Sequence, residues 1–309
     1  MIGIKAIASY ICEDRELNEG KIFDGEVVDT DFLINKVGVC SIAIKKPDEH
    51  ASDLCIKAFN NFVQKYPSFD KSLVDCVCVC SQNRDYMFPN VSSIIHGKLD
   101  LPLDCATFDT TIGCSGYVYS LGIMKSYMEQ NGLKTGLLFT SDPISEIVDK
   151  NDKSTAMIFG DAATVTLLAE DFIYSIGTSS FYSEGKAANV LIKYDNKPMF
   201  MDGRIVLSFT LSNISNVMAK NLKQENLTLN DIDLFVMHQP SKYIIDLLVR
   251  RTRLDPLKVP YDIQNYGNTS SSSIPIILEK NLEKGYNEIL LCGFGVGLSV
   301  ASTIIHKKN

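Results

Sequence analysis

The chain has 309 residues, 45% of them hydrophobic and 22% charged, and a net charge of −7. That composition supplies a sizeable core for one large domain or two of ordinary size, while the acidic balance excludes a general nucleic-acid binder, which needs a basic surface to neutralise phosphates. No segment reaches membrane-spanning length, and the short apolar stretch after Met1 soon meets Glu13, Asp14, Arg15 and Glu16, so neither a membrane protein nor a secretory leader is expected.

The nine cysteines show neither the density of a disulfide scaffold nor paired C-x-x-C metal spacing, which points to a reducing cytoplasm and no metal. In chain order, His50 to Tyr66 has the spacing of an amphipathic helix and Leu73 to Cys80 that of a strand. Cys76, Cys78 and Cys80 alternate with Val77 and Val79, so their thiols share one strand face. A metal could use that face, but a packed strand is the better reading.

An apolar segment then ends at Thr111-Ile112-Gly113-Cys114-Ser115-Gly116-Tyr117. Beyond it, Tyr117, Val118, Leu121, Met124, Tyr127 and Met128 recur at helical spacing, and Asn131-Gly132 supplies a stop. Cys114 is therefore expected at a helix N-terminus, where the helix dipole favours thiolate over thiol. A lone cysteine is more often a small buried hydrophobe; the rest of the chain changes that weighing.

Gly136 to Thr140 reads as a further strand. Met157-Ile158-Phe159-Gly160-Asp161 leads into the strand-like run Thr164 to Leu168, after which the organisation begins again. The predicted division is 1–168 and 169–309, two α/β halves. Asp161 and Arg204 read as turn or capping groups without chemistry of their own. In the second half, Leu234-Phe235-Val236-Met237 ends at His238-Gln239-Pro240, and Ile289-Leu290-Leu291-Cys292 ends at Gly293-Phe294-Gly295. Between them, Arg250, Arg251, Arg253 and Lys258 form the main basic cluster, a solvated helix face or a docking surface.

Four segments carry the chemistry: Gly113-Cys114-Ser115-Gly116, Met237-His238-Gln239-Pro240, Gly267-Asn268-Thr269-Ser270-Ser271 and Gly293-Phe294-Gly295-Val296-Gly297. In this order, together with Phe88-Pro89, Phe159-Gly160-Asp161 and Met201-Asp202-Gly203-Arg204, they resemble a β-ketoacyl-acyl-carrier-protein synthase III over essentially the whole chain. The resemblance implies the thiolase fold, an α/β architecture of two similar halves in a five-layer α-β-α-β-α sandwich, as a homodimer.

It also implies Cys114 as nucleophile, His238 and Asn268 as its partners, and an oxyanion hole of the Cys114 and Val296 backbone N–H groups. The residue types suit that chemistry. A thiolate attacks a thioester and splits one hard condensation into two steps; preorganised donors stabilise first the tetrahedral oxyanion and then the enolate left by malonyl decarboxylation. Met87, Phe88, Leu207 and Val296 are the expected acyl-pocket residues, and the loop of Met87 and Phe88 is expected to reach into the neighbouring subunit. The substrates implied are acyl-coenzyme A or acyl-carrier protein, with no permanently bound cofactor.

The chain departs from that family on the donor side. It has no Trp, and Phe32, Lys36 and Lys153 stand where a tryptophan and two arginines usually hold coenzyme A. Lysine keeps the charge but not the planar stacking of arginine, which weakens adenine recognition and turns attention to carrier-protein-bound donors. After His238 the run Gln239-Pro240-Ser241-Lys242-Tyr243 replaces a motif whose arginine docks the carrier protein, leaving Lys242 and Arg250 as substitutes; Arg204 completes the expected donor-side set.

These departures suggest a specialised paralogue. Three functions compete: decarboxylative condensation, acyl transfer from Cys114 to a hydroxyl or amine, and a silent subunit. Asn268 favours the first, because simple transfer needs no second donor on an enolate oxygen.

Overall fold

The computed structural model describes residues 1–308. Its central sheet has nine strands: β1 (Gly3–Ile11), β2 (Cys76–Cys80), β3 (Ala106–Thr110), β4 (Thr135–Ser141), β5 (Ala162–Ala169), β6 (Tyr174–Ser183), β7 (Leu234–Met237), β8 (Glu288–Gly295) and β9 (Ser299–Lys307). The main helices are α1 (Ala51–Lys65), α2 (Val91–Leu99), α3 (Gly116–Asn131), α4 (Gly203–Gln224), α5 (Lys242–Thr252) and α6 (Ser273–Glu279). The first helix and most of the predicted strands thus form where the periodicity put them; β2 begins only at Cys76, since Leu73 ends a short 3-10 helix, and β8 runs three residues further, to Gly295.

Across the sheet the order is β7-β8-β9-β6-β1-β5-β4-β2-β3. A parallel pair followed by antiparallel returns occurs twice: β2 beside β4, then β5 and β1, and β7 beside β8, then β9 and β6. The two runs meet where β1 and β6 pair at only two positions, Gly3 with Ser175 and Ile4 with Tyr174. The first run has one strand more, β3, which ends the sheet with an open edge.

Both faces of each run are buried, and the side-chain period of two divides each strand between two cores. Val77 and Val79 enter one apolar cluster with α1, while Cys76 and Cys78 enter another with Tyr117, Val118 and Leu121 of α3. On the other side, Leu234 and Val236 join that same central cluster, and Phe235 and Met237 join a third with α4 and α5. Helices α3 and α6 therefore lie between the two runs of strands, and α1 with α2 and α4 with α5 cover the outside. These are the five layers of the thiolase fold. The three strand cysteines are fully buried, Cys76 and Cys78 within the central core and Cys80 with its thiol on the Ile112 carbonyl.

Asp161 departs from the expected capping role. Its buried carboxylate accepts the backbone N–H of Lys45 at 2.9 Å, that of Ser145 at 2.9 Å and the Ser145 hydroxyl, tying three loops together. Arg204 lies in the first turn of α4, whose N-cap Asp202 accepts from its backbone N–H. No helix among the described residues is long and apolar enough to cross a membrane.

Candidate active site

The C-terminal ends of β3, β7 and β8 and the turn before α6 converge on one cavity of about 610 Å³. Cys114, His238, Asn268 and Val296, distant in sequence, all line it. Cys114 is held in the short link between β3 and α3, two residues before the helix begins. Gly295, at φ +152°, makes the approach possible: a Cβ there would lie 2.8 Å from the Cys114 Cβ and 2.9 Å from its Sγ. No side chain fits at that position.

The expectation that the helix end favours thiolate does not hold in this resting state. Burial pushes the Cys114 thiol up to about 11; the Ser270 hydroxyl, 3.7 Å from Sγ, opposes the rise, Asp142 adds to it, and the Val296 and Cys114 backbone groups oppose it. A helix end contributes about 0.3–1 kcal/mol in most settings, too little to offset full desolvation of a thiolate. Cys114 rests as a buried thiol.

His238 follows β7 directly, and its backbone N–H bonds the Cys292 carbonyl at 2.8 Å, which continues the β7–β8 ladder one residue. Burial drives its pKa down to about 3, with only a hydrogen bond to the Ser270 backbone acting the other way. The imidazole is therefore neutral across the physiological range. Its Nδ1 lies 2.7 Å from the Ser273 hydroxyl, and its ring meets Phe294 edge-on at 5.4 Å. The Ser273 hydroxyl also reaches the Ser270 carbonyl at 3.0 Å; in the tautomer where it donates to Nδ1 instead, Nε2 carries the ring hydrogen.

Asn268 is equally constrained. Its Oδ1 accepts the Ser270 backbone N–H at 2.9 Å, so the amide is oriented with its NH₂ group left as the donor. Ser270 holds a left-handed backbone at φ +50°, an uncommon conformation for a residue with a Cβ. Two buried neutral donors and a thiol thus surround one space, an arrangement suited to stabilising negative oxygen while a sulfur forms and breaks an acyl bond.

Other predicted residues are distributed less simply. Met87 lines the cavity, but Phe88 does not: it stands 81% exposed on the same loop. Leu207 is half-buried and also outside the lining; Val206 and Thr210, one helical turn apart on α4, take that place. None of the donor-side residues lines the main cavity. Lys36 and Arg250 instead border a second cavity of about 280 Å³ with Tyr243, and the Lys36 Nζ lies 4.0 Å from the Tyr243 ring centroid.

Lys153 stacks its ammonium 4.8 Å from the Phe32 ring centroid, and Lys242 pairs with Asp246 at 2.7 Å. Arg204 is exposed and borders neither cavity. Sequence reasoning passed over Asp142 and Ser273, although the serine run just after Asn268 was a visible signal.

The fold is that of a thiolase-fold enzyme, and its cavity gathers a buried cysteine, a histidine and an asparagine. Residues 108–191 match the family model described as 3-oxoacyl-[acyl-carrier-protein (ACP)] synthase III, and residues 222–307 match that of its C-terminal part. A β-ketoacyl-[acyl-carrier-protein] synthase III of Lactobacillus helveticus is 30% identical over 279 residues, covering 84% of each chain. That of Streptococcus mutans is 28% identical over 91% of this chain and 92% of its own. The solved synthase III of Thermus thermophilus superposes with a TM-score of 0.90 at 26% identity, covering 99% of both chains. The chain belongs to the β-ketoacyl-acyl-carrier-protein synthase III family, the condensing transferases of fatty-acid synthesis.

Proposed function

We propose that Cys114, His238 and Asn268 perform this condensation, and that the convergence of all three on one cavity is the observation that carries the assignment. In the first half-reaction the Cys114 sulfur attacks the donor thioester, the tetrahedral oxyanion is held by the Cys114 and Val296 backbone N–H groups, and the proton leaving Cys114 ends on the departing thiol. The alanine control is simple: intact mass shows an acyl adduct on the native protein and none on Cys114→Ala.

In the second half-reaction a malonyl thioester loses carbon dioxide. The electron pair of the broken carbon–carbon bond becomes an enolate whose oxygen accepts from His238 Nε2–H and the Asn268 amide. The enolate carbon attacks the acyl carbon, the carbon–sulfur bond to Cys114 breaks, and the sulfur takes up a proton. A neutral His238 suits this step, since it donates without acting as a base. Loss of the adduct with release of carbon dioxide is the expected result; an adduct stable to malonyl-carrier protein would overturn the assignment and favour transfer to a hydroxyl or amine.

The donor is proposed to be an acyl-carrier protein or acyl-coenzyme A, entering past Phe32, Lys36 and Lys153, with Lys242, Arg250 and Arg204 meeting the carrier and no resident cofactor taking part. A homodimer is supported by the open edge of β3 and the exposure of Met87 and Phe88, at 79% and 81%. In that dimer Phe88 would bound the neighbour's acyl pocket, with Leu207 behind Val206. Phe88→Ala should then admit longer acyl groups, which a chain-length series of donors reads directly. The halves 1–168 and 169–309 are proposed as the repeating units. Nine free cysteines suit a reducing cytoplasm.

A further inference from the structure

Four consecutive serines follow the turn of Asn268, and each fastens a different part of the site. Ser270 lies against Cys114 at 3.7 Å, Ser272 bonds Thr140 at 2.8 Å, and Ser273 bonds His238 at 2.7 Å. Ser271 reaches a carboxylate: its hydroxyl donates to Asp142 Oδ2 at 2.7 Å and its backbone N–H to the same oxygen at 3.3 Å. The other oxygen of Asp142 accepts the Gln82 backbone N–H at 2.7 Å. Asp142 itself sits just beyond β4, 1% exposed, and lines the catalytic cavity.

This carboxylate takes part in no ion pair among the described residues, although burying an unpaired carboxylate costs several kcal/mol unless hydrogen bonds compensate. Both its oxygens act as acceptors, one toward each wall of the cavity. An asparagine could not do the same, because one of its two positions would be a donor facing an N–H. The segment it tethers contains the left-handed Ser270, a conformation that persists only where its surroundings hold it.

We propose that Asp142 is a positioning residue for the condensation step: through Ser271 it holds the turn that presents the Asn268 amide, and through Gln82 it holds the facing wall of the same cavity. The inference rests on the role given above to Asn268. Its charge also reaches the thiols around it, Cys114 before α3, Cys80 on β2 and Cys55 on α1, each of which it pushes upward after burial has done so. His238 and the exposed Arg84 line the same cavity, while Asp85 and Asp109 act on Cys55.

Two variants separate tether from charge. Ser271→Ala removes the side-chain tether and keeps the charge. Discharge of the acyl adduct by malonyl-carrier protein should slow roughly tenfold, about 1.4 kcal/mol, while acyl loading stays within about twofold and the pH profile of Cys114 alkylation does not move. Asp142→Asn should slow discharge further and shift that profile to lower pH, since a negative charge near the thiolate has gone; alkylation is followed at Cys114 by peptide mapping because Cys40 is also exposed.

Discharge at the native rate in Ser271→Ala overturns the proposal, and so does loading that falls in step with discharge, which would mean general loss of structure. Should Asp142→Asn fail to fold, Ser271→Ala decides alone. A native adduct that never discharges refutes the function itself; a native adduct that discharges with carbon dioxide while Ser271→Ala keeps pace refutes only the role of Asp142.

Discussion

The proposed reaction end of the molecule and its proposed donor entrance differ in how their residues are held. At the first of these Cys114, His238 and Asn268 are buried, fixed by a strand end, a hydrogen-bonded turn and a glycine pressed against Cys114. At the entrance Lys36, Lys153 and Arg250 are exposed, two of the three poised over aromatic rings rather than locked into ion pairs. Burial fixes geometry and shifts titration, so substitutions there are costly. An exposed cation over a ring contributes about 0.5–1 kcal/mol, so the entrance can change partner without disturbing the chemistry.

Cys114→Ala should be the largest break, lowering turnover by roughly four orders of magnitude or more and abolishing the adduct seen by intact mass. Next come His238→Ala and Asn268→Ala, each expected to slow malonyl-dependent discharge by about 10²–10³ while the adduct still forms, a split that single-turnover kinetics resolves. Equal losses in loading and discharge would erase the distinction between their role and that of Cys114.

The titration of the buried end sharpens the contrast further. With the thiol pushed up to about 11, alkylation of Cys114 by iodoacetamide should accelerate about tenfold per pH unit from pH 7 toward pH 10, with no inflection near 6.5. With His238 held down to about 3, the unfolded chain binds a proton that the folded one refuses between about pH 6.5 and 3. Stability is therefore lost as pH falls through that window, and His238→Gln should flatten the decline in denaturant unfolding followed against pH.

The smallest effect belongs to the entrance. Phe32→Trp with Lys153→Arg should lower KM for coenzyme A donors by roughly tenfold and leave carrier-protein donors unchanged, because only the former present an adenine to stack. An equal gain for both donors would mean that these positions meet something other than adenine.

Local pattern was enough to give the strands flanking the site, the helix after Cys114 and three polar residues that meet at one cavity, because periodicity and motif order are properties of the chain itself. Leu207 was legible as a type but not as a lining position of this cavity: helix phase turns Val206 and Thr210 inward instead. The charge state of Cys114 was read with the wrong sign, since a helix start is visible in sequence and desolvation is not. Asp142 and Ser271, 129 residues apart, carry no shared pattern at all. The chain determined its local elements and the family that its motifs mark; only tertiary packing decided how deeply each site residue is buried and which distant partner holds it, because desolvation and hydrogen-bond geometry arise from neighbours that the linear order does not bring together.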